Sequence, residues 1–154
     1  TTTRRDLISD DDVRIVLLTL AESVGTRLRE QRFKGYVVEL SLRSTALTWM
    51  SHQRKLKRAT DTTREILDVA YELFKEVRML PLRSIGIRMA TLVDVNEPEQ
   101  LSLFVAENEI NYNRSIDRAV DEIRNKFGYH SISRGGMGKA FTSFGEQNIL
   151  TSFL

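Results

Sequence analysis

Apolar and polar residues alternate from Leu82 to Ala90, which predicts a half-buried β-strand. Its apolar face would carry Ile85, Ile87 and Met89, and its other face Ser84, Gly86, Arg88 and Ala90. Small residues let a ligand approach the backbone, and a cation attracts negative charge. We therefore expect the second face to contact an anionic partner.

Two earlier segments, residues 35–43 and 49–58, alternate with the same period. In the first, Tyr36, Val38, Leu40 and Leu42 are predicted to face the core. In the second, one side would carry Ser51, Gln53, Lys55 and Lys57, and the other Met50, His52, Arg54 and Leu56. Because basic residues occur on both sides, the alternation leaves the binding side open. A turn at 44–46 predicts an antiparallel hairpin, and the threonines at the start predict the end of a further strand.

Three segments have helical periodicity. The first runs from a Ser9 cap to about Gln31, the second follows a Thr62–Glu65 capping box, and the third spans about 109–127. The predicted buried stripe of the first helix consists of Val13, Val16, Leu17, Leu20, Val24 and Leu28. That of the second consists of Ile66, Ala70, Leu73, Phe74 and Val77, and that of the third of Ile116, Ala119, Val120, Ile123 and Phe127. The acidic triplet 10–12 suits a helix start, where the dipole favours negative charge; a metal site is the alternative.

The order strand, helix, strand, strand, helix, strand predicts an α+β fold. We expect a doubled β-α-β unit with a four-stranded antiparallel or mixed sheet, both helices on one face and the other face open. Residues 1–95 would form this domain, 96–108 a linker, and 109–154 a helical tail.

Charge is unevenly distributed along the chain. Residues 32–58 carry seven basic side chains and one acidic one, although the net charge of the chain is only +2. Such a stripe favours a polyanionic partner, the alternative being an ordinary solvated strand. The candidate contacts are Arg43, Ser51, Gln53, Arg54, Lys55, Lys57, Arg58, Ser84 and Arg88.

The peptide Gln100-Leu101-Ser102-Leu103-Phe104 follows Pro98 and places three apolar groups around one serine. A short extended segment of this kind suits a pocket on another protein. The alternatives are a fifth strand or a linker that packs back. Gln147, Leu150 and Phe153 have a spacing similar to a second, looser peptide, although an apolar terminus also packs on its own protein.

Several function classes are excluded or disfavoured. The chain has no cysteine, which excludes disulfides and thiolate sites and fits a reducing cytoplasm. It has no apolar run long enough for a membrane span. No catalytic constellation is recognisable, and the 133–138 loop lacks the Lys-Ser/Thr ending of a phosphate-binding loop. We expect no catalytic centre, cofactor or metal here. The first residues are not those of a natural initiator, so we expect a fragment of a longer chain.

With these motifs in place, nearly the whole chain resembles the C-terminal part of a bacterial Y-family translesion DNA polymerase of the DinB/UmuC group. Residues 83–88 look like the last strand of that family's little finger domain. Residues 100–104 match the bacterial sliding-clamp-binding pentapeptide at all five positions. Residues 117–129 are similar to the helix and glycine that follow this motif in many members.

The resemblance implies that residues 1–95 hold a primer-template duplex by its backbone, and that residues 100–104 bind the sliding clamp. It also implies an error-prone, Mg-dependent parent polymerase that acts in DNA damage tolerance and the SOS response, in the cytoplasm near the nucleoid. One rival is a free-standing, non-catalytic clamp-associated adaptor or regulator. A single-stranded RNA binder is a weaker rival, because Trp49 is the only candidate base-stacking residue of the exposed face.

Overall fold

The computed structural model describes residues 2–97 and 107–135, without the side chains of residues 4, 5, 107 and 108. The elements are β1 (Thr2–Leu7), α1 (Asp10–Glu30), β2 (Phe33–Ser44), β3 (Trp49–Thr60), α2 (Thr63–Val77), β4 (Leu82–Asp94) and α3 (Glu107–Phe127), followed by a 3₁₀ turn at Tyr129–Ser131. The strands form one sheet in the order β1-β4-β2-β3, in which every neighbouring pair is antiparallel. The predicted α+β fold is confirmed.

An apolar core lies between one face of the sheet and the helices α1 and α2. Val38, Leu40 and Leu42 of β2 are buried there, next to Ile85 and Met89 of β4. The helices contribute the remaining large groups, which include Val13, Val16, Leu17, Leu20, Ile66, Leu73 and Phe74. Burial of each such side chain contributes roughly 1.5–3 kcal/mol to folding. Both helices therefore pack on the same face, as the sequence predicted.

The two helix starts differ in how well the sequence anticipated them. Ser9 caps α1 as predicted, since its hydroxyl accepts a hydrogen bond from the Asp12 amide at 3.1 Å. Thr62 is the N-cap residue of α2, but it makes no side-chain bond to the helix backbone. Its hydroxyl instead donates to the Glu65 carboxylate at 2.7 Å. The reciprocal capping box predicted for α2 is therefore wrong.

The missing cap of α2 is supplied by α3. The Asp117 carboxylate accepts a hydrogen bond from the Thr63 amide at 2.8 Å. Asp117 also forms ion pairs with Arg29 of α1 and with Arg134, which lies beyond α3. A buried carboxylate at a helix N-terminus is favoured both by the free amides and by the dipole. Asp117 thereby joins three segments of the chain.

Charged residues form the rest of the contact between α3 and α1. Arg124 pairs with the buried Glu22 at 3.0 Å, and Arg134 pairs with the same carboxylate at 2.7 Å. Asp121 pairs with Arg29. Burial by itself lowers the pKa of Arg29, but the hydrogen bond to Asp121 and the nearby carboxylates raise that pKa above its ordinary value. The guanidinium therefore stays charged inside this contact.

The apolar stripe predicted for α3 is not its buried face. Asp117 and Arg124 are buried, whereas Ile116, Val120 and Ile123 are half-buried, and Ala119 and Phe127 are exposed. The predicted stripe is wrong because paired charges can also be buried, and the periodicity of apolar residues does not reveal such a face. Across the described ranges, none of the helices is long and apolar enough to cross a membrane.

Candidate nucleic-acid interface

The strand register places four rows of side chains on the sheet face opposite α1 and α2. From β4 through β2 to β3, these rows are Ser84-Arg43-Trp49, Gly86-Ser41-Ser51, Arg88-Glu39-Gln53 and Ala90-Val37-Lys55. We call these residues, together with Lys57, the open face. Directly paired residues of antiparallel strands point to the same side, so the register settles the side that alternation left undecided.

Three cations of the open face are well exposed. Lys55 and Lys57 are exposed, and the alternation of exposure along β3 continues through both. The Arg88 side chain on β4 is 73% exposed. Long cationic side chains on a twisted sheet are able to follow a phosphate backbone, since they supply charge without requiring a particular base.

Arg43 and Trp49 form a distinct corner of the open face, next to the β2–β3 turn. The Arg43 guanidinium lies 5.3 Å from the centre of the Trp49 ring, within the range of a cation–π contact. Its Nε is buried and has no hydrogen-bond partner among the residues that the structure describes. Trp49 remains 60% exposed, so most of the indole is available to a ligand.

In the middle of the open face, Gly86 and Ser41 are small, so few side-chain atoms project from the sheet there. A Cβ atom at Gly86 would lie 2.7 Å from the Ser41 hydroxyl, which is closer than real contacts allow. Glycine therefore fits here without displacing its neighbour. The small residues leave room for a backbone to approach between the cations.

Glu39 occupies the centre of the open face and was not among the predicted site residues. Its carboxylate accepts a hydrogen bond from the Ser51 hydroxyl at 3.0 Å and lies 3.5 Å from Arg88 Nε. The period-two pattern had placed Glu39 away from the core. The pattern therefore predicts its side of the sheet, but an acid is not a residue type that is expected to contact a phosphate.

Two predicted contacts, Arg54 and Arg58, lie on the helix side of the sheet. Arg54 pairs with Glu72 and Glu76 of α2, and Arg58 pairs with Glu65. Arg54 also stands opposite Val38, whose side chain belongs to the core. Both cations serve the packing of β3 against α2, so the structure does not bring them together with the open-face cations.

A third predicted contact, Ser84, belongs to the open face by register but is covered. It is 4% exposed, and its hydroxyl lies 3.0 Å from that of Thr2 on β1. Six of the nine predicted residues are thus at least partly accessible on one face: Arg43, Ser51, Gln53, Lys55, Lys57 and Arg88.

The predicted clamp-binding residues, Gln100 to Phe104, lie outside the described residues, as do Gln147, Leu150 and Phe153. The acidic triplet is described, and it serves the start of α1. Within residues 2–97 and 107–135, no group of three or more histidine or acidic side chains is arranged to hold a metal ion.

Comparison with known proteins matches residues 1–103 to the model of the impB/mucB/samB family C-terminal domain. The chain is 37% identical to a DNA polymerase IV from Acetivibrio thermocellus over 136 residues, which cover 87% of this chain and 34% of that protein. A DNA polymerase IV from Alkaliphilus oremlandii is 34% identical over 146 residues, covering 89% and 36%. The chain spans about a third of the length of the curated relatives it matches.

Proposed function

Since this chain belongs to the impB/mucB/samB family and matches its C-terminal domain, within the bacterial Y-family, we propose that its open face binds the backbone of a primer-template duplex. One observation carries the proposal. Arg43, Lys55, Lys57 and Arg88 converge on a sheet face that none of the described helices covers.

The open face supplies the chemistry that phosphate recognition needs. Lysine and arginine neutralise phosphates and release condensed counterions, which is the main source of affinity without sequence preference. Ser51 and Gln53 offer neutral hydrogen bonds beside them. Contacts to the backbone leave the base edges unread, so a duplex with a damaged template base would still be held.

The wider role follows from the relatives. Proteins similar to this chain are named DNA polymerase IV, and that name supports a polymerase parent over the adaptor alternative. We assign the chain to the C-terminal region of an error-prone translesion polymerase that acts in DNA damage tolerance and the SOS response, in the cytoplasm near the nucleoid. Its Mg-dependent chemistry would belong to other parts of the enzyme.

Residues 100–104 would tether this enzyme to the sliding clamp. The support is the sequence itself, Gln-Leu-Ser-Leu-Phe, which has an amide able to exchange hydrogen bonds and an apolar-aromatic pair. In this proposal Gln100 bonds to the clamp, and Leu103 and Phe104 bury in a pocket. A buried aromatic anchor contributes about 2 kcal/mol or more to such an interface.

Charge reversal on the open face tests the DNA-binding part of the proposal. The variant Lys55→Glu, Lys57→Glu, Arg88→Glu should bind a fluorescent duplex much more weakly than the wild-type chain, by about tenfold or more at low salt. Each phosphate contact contributes about −0.9 to the slope of log K against log salt, so the variant should also have a flatter slope. Fluorescence anisotropy at several salt concentrations measures both quantities.

The matched control reverses the charge of three exposed cations on α1 and α2, namely Arg14, Arg64 and Lys75. The net charge changes equally in the two variants, so only position differs. We expect the control to lose much less affinity and to keep the wild-type slope. Equal losses in both variants would reject the open face as the binding surface, as would an unchanged slope in the open-face variant.

A further inference from the structure

The open face contains a carboxylate where a phosphate-binding surface would be expected to carry none. Glu39 is the single acid in the four rows, and it lies between Arg88 on one side and Gln53 on the other. Its side chain is 25% exposed, so it is neither hidden in the core nor fully solvated. A phosphate that approaches Arg88 therefore meets a like charge.

The contact between Glu39 and Arg88 is easily exchanged. Arg88 Nε lies 3.5 Å from the carboxylate, and the arginine side chain is 73% exposed. An ion pair in which one partner is this exposed contributes little net free energy, because water competes for the guanidinium. The carboxylate is held more firmly on the opposite side, where the Ser51 hydroxyl donates to it at 3.0 Å. Arg88 is thus paired with Glu39, but a competing anion can displace the carboxylate from it.

We propose that Glu39 is an internal competitor for DNA phosphate. Without DNA it occupies Arg88 and Ser51; a bound phosphodiester displaces it from Arg88 and is repelled by it. The inference rests on the proposed function of the open face. Competition by Glu39 would lower the affinity for DNA and speed dissociation. Both effects suit a domain that has to release one phosphate and bind the next along a duplex.

The variant Glu39→Gln tests this directly, because the amide keeps the size of the side chain and still accepts a hydrogen bond from Ser51. In the 154-residue chain, it should bind duplex DNA about threefold to tenfold more tightly at low salt and dissociate more slowly. Anisotropy titration and stopped-flow dissociation measure the two effects. Thermal unfolding checks that the fold is unchanged.

Asp68→Asn is the matched control. Asp68 also pairs with one exposed arginine, Arg64 at 2.8 Å, but it lies on α2, on the far side of the sheet. The control removes the same charge and should leave affinity at the wild-type value. Equal tightening by both variants would show an effect of net charge alone and overturn the proposal.

A double-mutant cycle with Arg88→Ala identifies the route of the effect. If Glu39 acts through Arg88, the gain from Glu39→Gln should shrink strongly in the Arg88→Ala background. Weaker binding by Glu39→Gln would make Glu39 a residue that positions Arg88, and would overturn its role as competitor, as would an unchanged affinity. If the wild-type chain shows no salt-dependent DNA binding, the proposed function itself fails, which is a separate result.

Discussion

Arg54 and Lys55 are neighbours in the sequence, yet their side chains lie on opposite faces of the sheet. Arg54 pairs with two glutamates of α2, whereas Lys55 is exposed on the open face. Both residues were predicted to contact DNA, since the second hairpin strand carries cations on each side. The strand register places Arg54 opposite Val38, whose side chain lies in the core, and this assigns Arg54 and Lys55 to opposite faces of the sheet.

Trp49 provides a reporter for the open face, because it is the only tryptophan in the chain. It lies in the same row as Arg43, 60% exposed, with the guanidinium over its ring. We predict that duplex binding changes its emission, since a phosphate that engages Arg43 alters the charge and solvent beside the indole. A fluorescence titration should give the same midpoint as anisotropy.

The variant Trp49→Phe is the control for this experiment. It should lose the emission change while DNA binding remains measurable by anisotropy. If wild-type protein binds DNA with its emission unchanged, the Arg43–Trp49 corner lies outside the bound surface.

Among the elements, α3 departs most from its predicted behaviour. The residues of its predicted apolar stripe are half-buried or exposed. Its contact with α1 and α2 is made by acids and arginines. Removal of one partner from such a network leaves the other charges buried and unpaired. The contact should therefore be specific in position and sensitive to single substitutions.

Asp117→Ala should destabilise the chain by about 2–3 kcal/mol, because it leaves the Thr63 amide and two arginines without their common acceptor. Urea denaturation measures the loss. The substitution lies on the helix side, so DNA affinity of the folded variant should stay at the wild-type value.

Glu122→Ala is the control on the exposed side of α3, and it should change stability by at most about 0.5 kcal/mol. A loss for Asp117→Ala no greater than that of the control would show that the polar contact does not hold α3 in place.

At the scale of the whole molecule, the sheet separates two kinds of charge. On the helix side, Arg54 and Arg58 are neutralised by glutamates of α2. On the open face, the row of Lys55 contains no acid, and Glu39 is the single acid of the four rows. A net charge of +2 is therefore compatible with one strongly cationic surface.

The residues proposed to bind DNA and those proposed to bind the clamp belong to different segments of the sequence, so we predict that the two activities can be removed separately. Leu103→Ala with Phe104→Ala should abolish binding to purified bacterial sliding clamp, because the apolar anchors are lost, while duplex affinity persists. Gel filtration with the clamp and anisotropy with DNA measure the two activities.

The triple charge reversal at Lys55, Lys57 and Arg88 should have the opposite pattern, with clamp binding retained. Equal clamp affinity for the wild-type and alanine-substituted chains would remove residues 100–104 from the proposal.

The sequence by itself determined the order of the elements and most of the inward residues of β2, β4, α1 and α2, because these depend on periods of two and 3.6 within one segment. Tyr36, which was also predicted to face the core, is half-buried and lies outside the core cluster. The resemblance of residues 100–104 to a clamp-binding peptide is also read from the sequence alone, and clamp binding stays a prediction. Tertiary structure decided which side of β3 faces outward, that Glu39 lies beside Arg88, and that Asp117 caps a helix 54 positions earlier in the chain. These are pairings between distant segments, so they follow from register and packing and leave no trace in local periodicity.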